Sequence, residues 1–274
     1  MSTDVRRHWV SYDGRVLAPD EPTVSGTDAA LMLGQGIFET MRVVHGEPFA
    51  MTRHLRRLRS SAAIAEVEVP WNDTELRAAA AGFLRNTPPP ADGWFGRLRM
   101  HVSSGAPSPL MLLSHVPEWG PTASVVTVDR PIDAADPLRA AKVSNRLAET
   151  LAMAEAKRRG ADEALRFDRS GRLSEGGGSN VFLVVDGVLV TPALSTGCLP
   201  GVARGLVVEL VDVEERDDLT AADLARASEV FLTSSTRGVH PVDSVDGRCL
   251  DTPGPVTAEA ARAYSVLRDS TVDP

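Results

Sequence analysis

Residues 141–201 read AKVSNRLAETLAMAEAKRRGADEALRFDRSGRLSEGGGSNVFLVVDGVLVTPALSTGCLPG, and they carry the parts from which the rest of the chain can be read. Lys142 stands just ahead of a segment whose apolar residues Leu147, Leu151 and Ala154 recur with a helical period. Lys157, Arg158 and Arg159 fill the last turn and Gly160 supplies a C-cap. Lys142 and Lys157 are the only lysines in a chain that otherwise uses arginine. A lysine can lose its proton when buried and bond a carbonyl carbon, and an arginine cannot. Read by itself, Lys142 is equally a surface residue near a helix start.

Glu175 opens the run Glu-Gly-Gly-Gly, where the backbone can come close to a ligand. A strand over Val181–Val185 follows, turned back at Asp186-Gly187 into Val188–Val190. Leu199-Pro200-Gly201 then leads into an apolar helix whose first N–H groups would face outward, a site for phosphate. An amine, a carboxylate and a phosphate-binding turn together suit an anionic, electrophilic cofactor.

In their order and spacing these parts resemble the class IV (fold-type IV) aminotransferases, which depend on pyridoxal 5′-phosphate (PLP). That family includes D-amino-acid and branched-chain aminotransferases and 4-amino-4-deoxychorismate lyase. The blocks that carry the resemblance are GQGIFETMRV at Gly34, HLRRLRSSA at His54, K-x-x-N at Lys142, LSEGGGSNVFLV at Glu175, LPGVAR and EVFLTSSTRGVHPV. The resemblance implies an α+β fold in two domains, a small N-terminal α/β domain and a larger β-rich C-terminal domain with the cofactor between them. It implies that Lys142 is catalytic and holds PLP as a Schiff base, and that Glu175 keeps the pyridine nitrogen protonated. Arg57, Asn180, Ser234, Ser235 and the amides of Val202 and Ala203 become cofactor-binding residues, most of them at the phosphate. Phe38, on a strand that lines the site in the family, becomes substrate-binding. A homodimer is implied as well.

The expected reaction moves an amino group between an amino acid and a 2-oxo acid, with D-amino acids slightly favoured by the short K-x-x-N spacing. The alternatives are a lyase that releases pyruvate and 4-aminobenzoate, and a branched-chain L-amino-acid aminotransferase. Relatives that handle D-amino acids or aminodeoxychorismate often carry Thr-Arg-Gly where this chain has Ser103-Ser104-Gly105. Alternation along the preceding strand puts Arg97 and Arg99 on one face, so these are the candidates for a substrate carboxylate. They would serve equally as the polar face of an edge strand.

Composition is consistent with such an enzyme. The 274 residues are 43% hydrophobic and 24% charged, an ordinary soluble globular balance. A formal net charge of −8 argues against nucleic acid as the main partner. Cys198 and Cys249 fit a reducing cytoplasm better than a disulfide framework. No apolar run reads as a signal peptide or a membrane span, and nothing points to a metal.

The N-terminal half reads as a hairpin at Asp13-Gly14, then a strand, a Gly46 turn and a strand across GQGIFETMRVVHGEPFAM. A helix capped by Thr52 is expected to about Ala65, with Arg53, Arg56 and Arg59 on a solvated face. A second helix is expected over Asp73–Asn86, with Asn72 and Glu75 as a capping box, then a proline loop and strands at Trp94–Val102 and Leu110–Val116. The expected domains are residues 1–116 and 123–274, joined by a linker at 117–122. A closing helix is expected over Val256–Leu267, with Asp269–Pro274 frayed.

Overall fold

The computed structural model describes residues 8–18, 21, 24–87, 96–116 and 119–274. They form two compact units. The first takes the described residues up to 117 together with Ala141–Asn145 and Arg268–Pro274; the second takes those from 118 to Ala140 and Arg146–Leu267. The expected linker falls partly on residues 117 and 118, outside the described residues.

The first unit is built on an antiparallel sheet. Its strands are β1 (His8–Tyr12), β2 (Arg15–Leu17), β3 (Gly36–Val44), β4 (Glu47–Pro48), β5 (Arg97–Ser103) and β6 (Leu110–Ser114), in the order β2-β1-β6-β5-β3-β4. Residues 88–95 lie outside the described residues, so the expected strand start at Trp94 and most of the proline loop are not seen. A short helix α1 (Ala29–Leu33) precedes β3, and α2 (Met51–Ala65) and α3 (Asp73–Asn86) supply the helical layer. Ile37, Met41 and Leu98 of the sheet pack with Leu55, Leu58 and Leu76 of the helices. Burial of each such side chain is worth about 1.5–3 kcal/mol.

The capping box of α3 forms as its sequence implies: Glu75 N donates to Asn72 Oδ1 at 3.0 Å and Asn72 N to Glu75 Oε2 at 2.7 Å. The start of α2 differs from expectation. Its N-cap position is Ala50, left-handed at φ 56° and with no side-chain cap. The cap comes from the far end of the sequence, where Asp273 Oδ1 accepts from Thr52 N at 2.8 Å and Oδ2 from Thr52 Oγ1 at 2.7 Å. Residues expected to fray are therefore docked, with Ala50 N also donating to Val272 O at 2.7 Å. Arg53 and Arg59, expected on a solvated face, are half-buried; Arg53 Nε donates to Pro274 O and Arg59 ties α2 to Asp73.

The segment Ala141–Asn145 joins this unit as a short extra run beside β3. Phe38 N donates to Lys142 O at 2.9 Å and Ser144 N to Gly36 O at 2.8 Å, with Ile37 and Val143 paired between them. Sequence order had grouped this segment with residues 123–274.

The second unit holds a mixed sheet of β7 (Ala123–Thr127), β8 (Glu163–Phe167), β9 (Leu173–Gly176), β10 (Asn180–Val185), β11 (Val188–Pro192), β12 (Glu214–Arg216), β13 (Glu229–Ser234) and β14 (Gly238–Val245). The order is β12-β11-β10-β13-β14-β7-β8-β9, and β15 (Arg248–Cys249) pairs with β14. The hairpin at Asp186-Gly187 forms with both residues left-handed, at φ 53° and 82°. The helices are α4 (Leu147–Arg158), α5 (Val202–Leu210), α6 (Ala221–Arg226) and α7 (Pro255–Ser270). On α4 the leucines that showed the helical period are outside: Leu147 is 64% exposed and Leu151 40%. The buried face is Glu149, Ala152 and Ala156, and the two alanines pack with Val126, Val128 and Ala164. Small residues let the helix lie close to the sheet, and Glu149 turns inward because arginines meet it there. No helix among the described residues is long and apolar enough to cross a membrane.

Candidate active site

In the first unit β3 and β5 pair so that Phe38 lies opposite His101 and Thr40 opposite Arg99. The Lys142 segment bonds to the Gly36 end of β3, and these side chains meet. Lys142 Nζ lies 4.7 Å from the Phe38 ring centre and Arg99 Cζ 3.9 Å from the same centre. His101 stacks on Phe38 with centroids 5.0 Å apart. Both cations gain from the ring's electron-rich face. Of the expected substrate residues, Phe38 and Arg99 are thus brought to Lys142. Arg97 is not; it lies opposite Arg42 and donates through Nε to Ser114 Oγ at 2.8 Å.

Behind the lysine, α2 turns His54, Arg57 and Ser61 inward at helical spacing. Ser61 Oγ accepts from Lys142 N at 2.9 Å. Arg57 grips Glu39 by two bonds, Nε to Oε1 at 2.8 Å and Nη2 to Oε2 at 2.6 Å, and His54 Nδ1 meets Oε2 at 2.7 Å. Burial disfavours the Glu39 charge, but the Arg57 guanidinium and His54 outweigh it and hold the carboxyl down at about 2. Burial also lowers the His54 pKa, so the neutral ring donates its Nδ1–H. The Nε edge of the expected phosphate arginine is therefore fixed by a carboxylate.

In the second unit Glu175, on β9, is buried. Its Oε1 accepts from Arg139 Nη2, and its Oε2 accepts from Leu199 N at 2.8 Å. Arg139 also donates to Glu149 Oε1 at 2.8 Å, and Arg166 Nη1 reaches the same oxygen at 3.2 Å. Burial opposes the Glu149 charge, and Arg146 and Arg139 bring its pKa down to about 2. The glycine run after Glu175 is held from beneath by buried Glu163, which accepts from Gly178 N and Ser179 Oγ, each at 3.2 Å.

The Leu199-Pro200-Gly201 turn leads into α5, with Gly201 at its N-cap. Asn180 Nδ2 donates to Leu199 O at 2.9 Å, so Asn180 fixes the turn. A Cβ at Gly201 would sit 2.0 Å from Asn180 Oδ1, which is why glycine stands there. Asn180 lies opposite Thr233 across β10 and β13, and Ser234 closes β13. Thr233 Oγ1 is buried with no hydrogen-bond partner. The N–H groups at the start of α5, those of Val202 and Ala203, have the character that suits an anion.

Sequence reasoning missed Glu39, His54, His101, Ser144 and Arg139. A carboxylate inside the apolar strand GIFETMRVV, with two basic residues at i, i+3 on one helix, was a usable signal for the first two. Arg139 sits in a single 3₁₀ turn, Pro137–Ala140, which has no periodicity to read.

The family model for class IV amino-transferases matches residues 36–245. A branched-chain-amino-acid aminotransferase of Salmonella typhimurium is 29% identical over 292 residues, covering 96% of this chain and 93% of that protein. A D-alanine aminotransferase of Bacillus licheniformis is 28% identical and covers 95% of this chain and 98% of its own length. Among solved structures, the T.th. branched-chain amino acid aminotransferase complexed with N-(5′-phosphopyridoxyl)-L-glutamate superposes with a TM-score of 0.81. It is 27% identical and covers 94% of this chain and 93% of its own.

Proposed function

We propose that this chain, which belongs to the class IV aminotransferases and is a PLP-dependent transaminase, moves the amino group of a branched-chain L-amino acid to a 2-oxo acid. The observation that carries an amino-acid substrate is the pair of cations on Phe38: Lys142 to do chemistry at the amine, and Arg99 beside it to take a carboxylate. The branched-chain preference is supported by what the Salmonella typhimurium and T.th. relatives are named for. A D-amino-acid substrate is the second reading, favoured by the D-alanine aminotransferase of Bacillus licheniformis.

The residues present suit PLP. Lys142 Nζ would hold it covalently, and Glu175 would hold the proton at its ring nitrogen. The Val202 and Ala203 amides, with Ser234, Ser235 and Arg57, would hold the phosphate, at a turn whose Gly201 leaves no room for a Cβ. Asn180 would keep the turn in shape. When bound, PLP supplies a carbonyl that captures amines and a ring that accepts electrons from the substrate's α-carbon. The Lys142 amine would take the proton from that carbon as general base. Arg99 holds the substrate carboxylate and so decides which bond at the α-carbon faces the lysine.

Two further proposals rest on surface features. A homodimer is supported by Leu31, Met32 and Leu33, exposed on α1 by 64%, 65% and 78%, and light scattering would read it. A cytoplasmic location is supported by the free thiols of Cys198 and Cys249.

The test is a half-reaction on the purified PLP-loaded protein, followed by its visible spectrum. Conversion to the pyridoxamine form by L-leucine or L-valine is expected. Conversion by D-alanine or D-glutamate alone would replace this reading with the second one. Conversion by neither, with pyruvate and 4-aminobenzoate formed from aminodeoxychorismate, would make the protein a lyase.

A further inference from the structure

Arg99 is held by more than the Phe38 ring. Its Nε donates to His101 Nε2 at 2.8 Å, and His101 Nδ1 lies 3.3 Å from Ser144 Oγ. An imidazole that accepts at Nε2 must carry its proton at Nδ1, so the ring is neutral and gives that proton to Ser144. Burial and the neighbouring Arg99 charge both depress the His101 pKa, to about 4, which keeps Nε2 an acceptor across the neutral range. Ser144 in turn is fixed in the main chain, its N–H bonded to Gly36 O at 2.8 Å, two residues beyond Lys142.

These contacts form one line: Lys142 segment, Ser144, His101, Arg99. Arginine side chains lose about 2 kcal/mol of rotamer freedom when fixed. A guanidinium already held on one edge by an acceptor and on its face by a ring has much of that cost met beforehand. The line also sets where the guanidinium stands relative to the lysine, because both are referenced to the same short segment.

We propose that His101 is the positioning residue for carboxylate recognition: in its Nδ1–H form, set by Ser144, it orients Arg99 toward the substrate carboxylate beside Lys142. The inference rests on the reading of Arg99 as the carboxylate anchor. His101 touches neither reacting atom and acts only through Arg99.

The test measures binding and turnover in the PLP-loaded protein with three probes. They are L-leucine; 4-methylpentanoate, which has the carboxylate without the amine; and 3-methylbutylamine, which has the amine without the carboxylate. His101→Phe keeps the stack on Phe38 and removes the acceptor. Its KM for L-leucine and its Kd for 4-methylpentanoate by calorimetry should both rise about tenfold, the worth of one hydrogen bond to a charged group. Its kcat for L-leucine and its KM for 3-methylbutylamine should change by less than about threefold, well inside that tenfold effect. His101→Gln, whose amide oxygen can reach Arg99 Nε, should recover most of the loss. Equal weakening toward all three probes, or no rescue by glutamine, would overturn the inference. Should His101→Phe not fold, Ser144→Ala reads the same line, and an unchanged Kd for 4-methylpentanoate there would count against it. Arg99→Gln separates the two levels: no effect on L-leucine or 4-methylpentanoate would remove the anchor reading itself. A strong effect in Arg99→Gln with none in His101→Phe would remove only the role of His101.

Discussion

Glu39 carries a full charge at zero exposure, and the first unit tolerates it because Arg57 and His54 close around it. Removing the charge would take the carboxylate away from the buried Arg57 guanidinium, which costs about 3–5 kcal/mol. Glu39→Gln is therefore expected to lower the unfolding free energy by about 3 kcal/mol at pH 7, measured by urea unfolding followed through the Trp fluorescence. The pH dependence has a definite sign. The Glu39 pKa is depressed to about 2, so its stabilisation is complete above the ordinary glutamate range near 4.5 and is lost as pH falls toward 2. The gap between the parent and Glu39→Gln should close over that window. At Lys142 the expectation is chemical: Lys142→Ala should lose the visible absorption of the lysine-bound cofactor and all measurable turnover. Its folding free energy should move by less than about 1 kcal/mol, because the residue is only half-buried. Lys142 was a legible candidate because lysine is rare in this chain. His101 and Arg139 were not, since each acts through a partner that only the folded chain brings near.

At the scale of elements, local signals were reliable and distant ones were invisible. The Asn72–Glu75 box and the Asp186-Gly187 turn are complete within a few residues, so their sequence sufficed. The cap of α2 comes from Asp273, 221 residues away from Thr52, and no local pattern announces it. The leucines of α4 gave the helix but not its buried face: the core took the face that offered Ala152, Ala156 and the arginine-paired Glu149. Asp273→Ala should destabilise the protein by about 1 kcal/mol at pH 7, the usual worth of an N-cap. Burial works against the Asp273 charge, and its bonds to Thr52 and Arg77 outweigh that and lower its pKa. The destabilisation should accordingly shrink as pH falls below the ordinary aspartate range, as a pair of thermal melts at pH 7 and pH 2.5 would reveal. Gly201→Ala tests the start of α5. With Asn180 Oδ1 2.0 Å from the new Cβ, the turn must shift, and the Kd for PLP measured by fluorescence quenching should rise about tenfold or more.

At the scale of the molecule, the two units are not two consecutive lengths of chain. The first unit is assembled from three separated segments, and the shortest of them, Ala141–Asn145, contains Lys142. Contacts that close it include Phe38 N to Lys142 O, Ser144 N to Gly36 O, and Thr52 to Asp273. A chain cut to residues 1–117 keeps the apolar core of α2 and β3 but lacks all three. It is expected to show helical far-ultraviolet dichroism with weak near-ultraviolet dichroism and a broad melt, whereas the intact chain melts cooperatively. A sharp melt in the fragment would show that the inserted segments are dispensable for folding.

The hydrogen bonds on either side of Lys142 also bear on how the protein meets a protease. An enzyme that cleaves only after lysine has two targets in the whole sequence, and they are unlike. Lys157 is exposed in the last turn of α4, while the peptide at Lys142 is tied into the edge of β3 through its own carbonyl and the Ser144 amide. Digestion of the native protein should therefore cut at 157 first, and the slower cut at 142 would time the opening of that edge. Borohydride reduction of the cofactor onto Lys142 would erase the second cut altogether, so the ratio of two peptide masses would count the fraction of molecules carrying it.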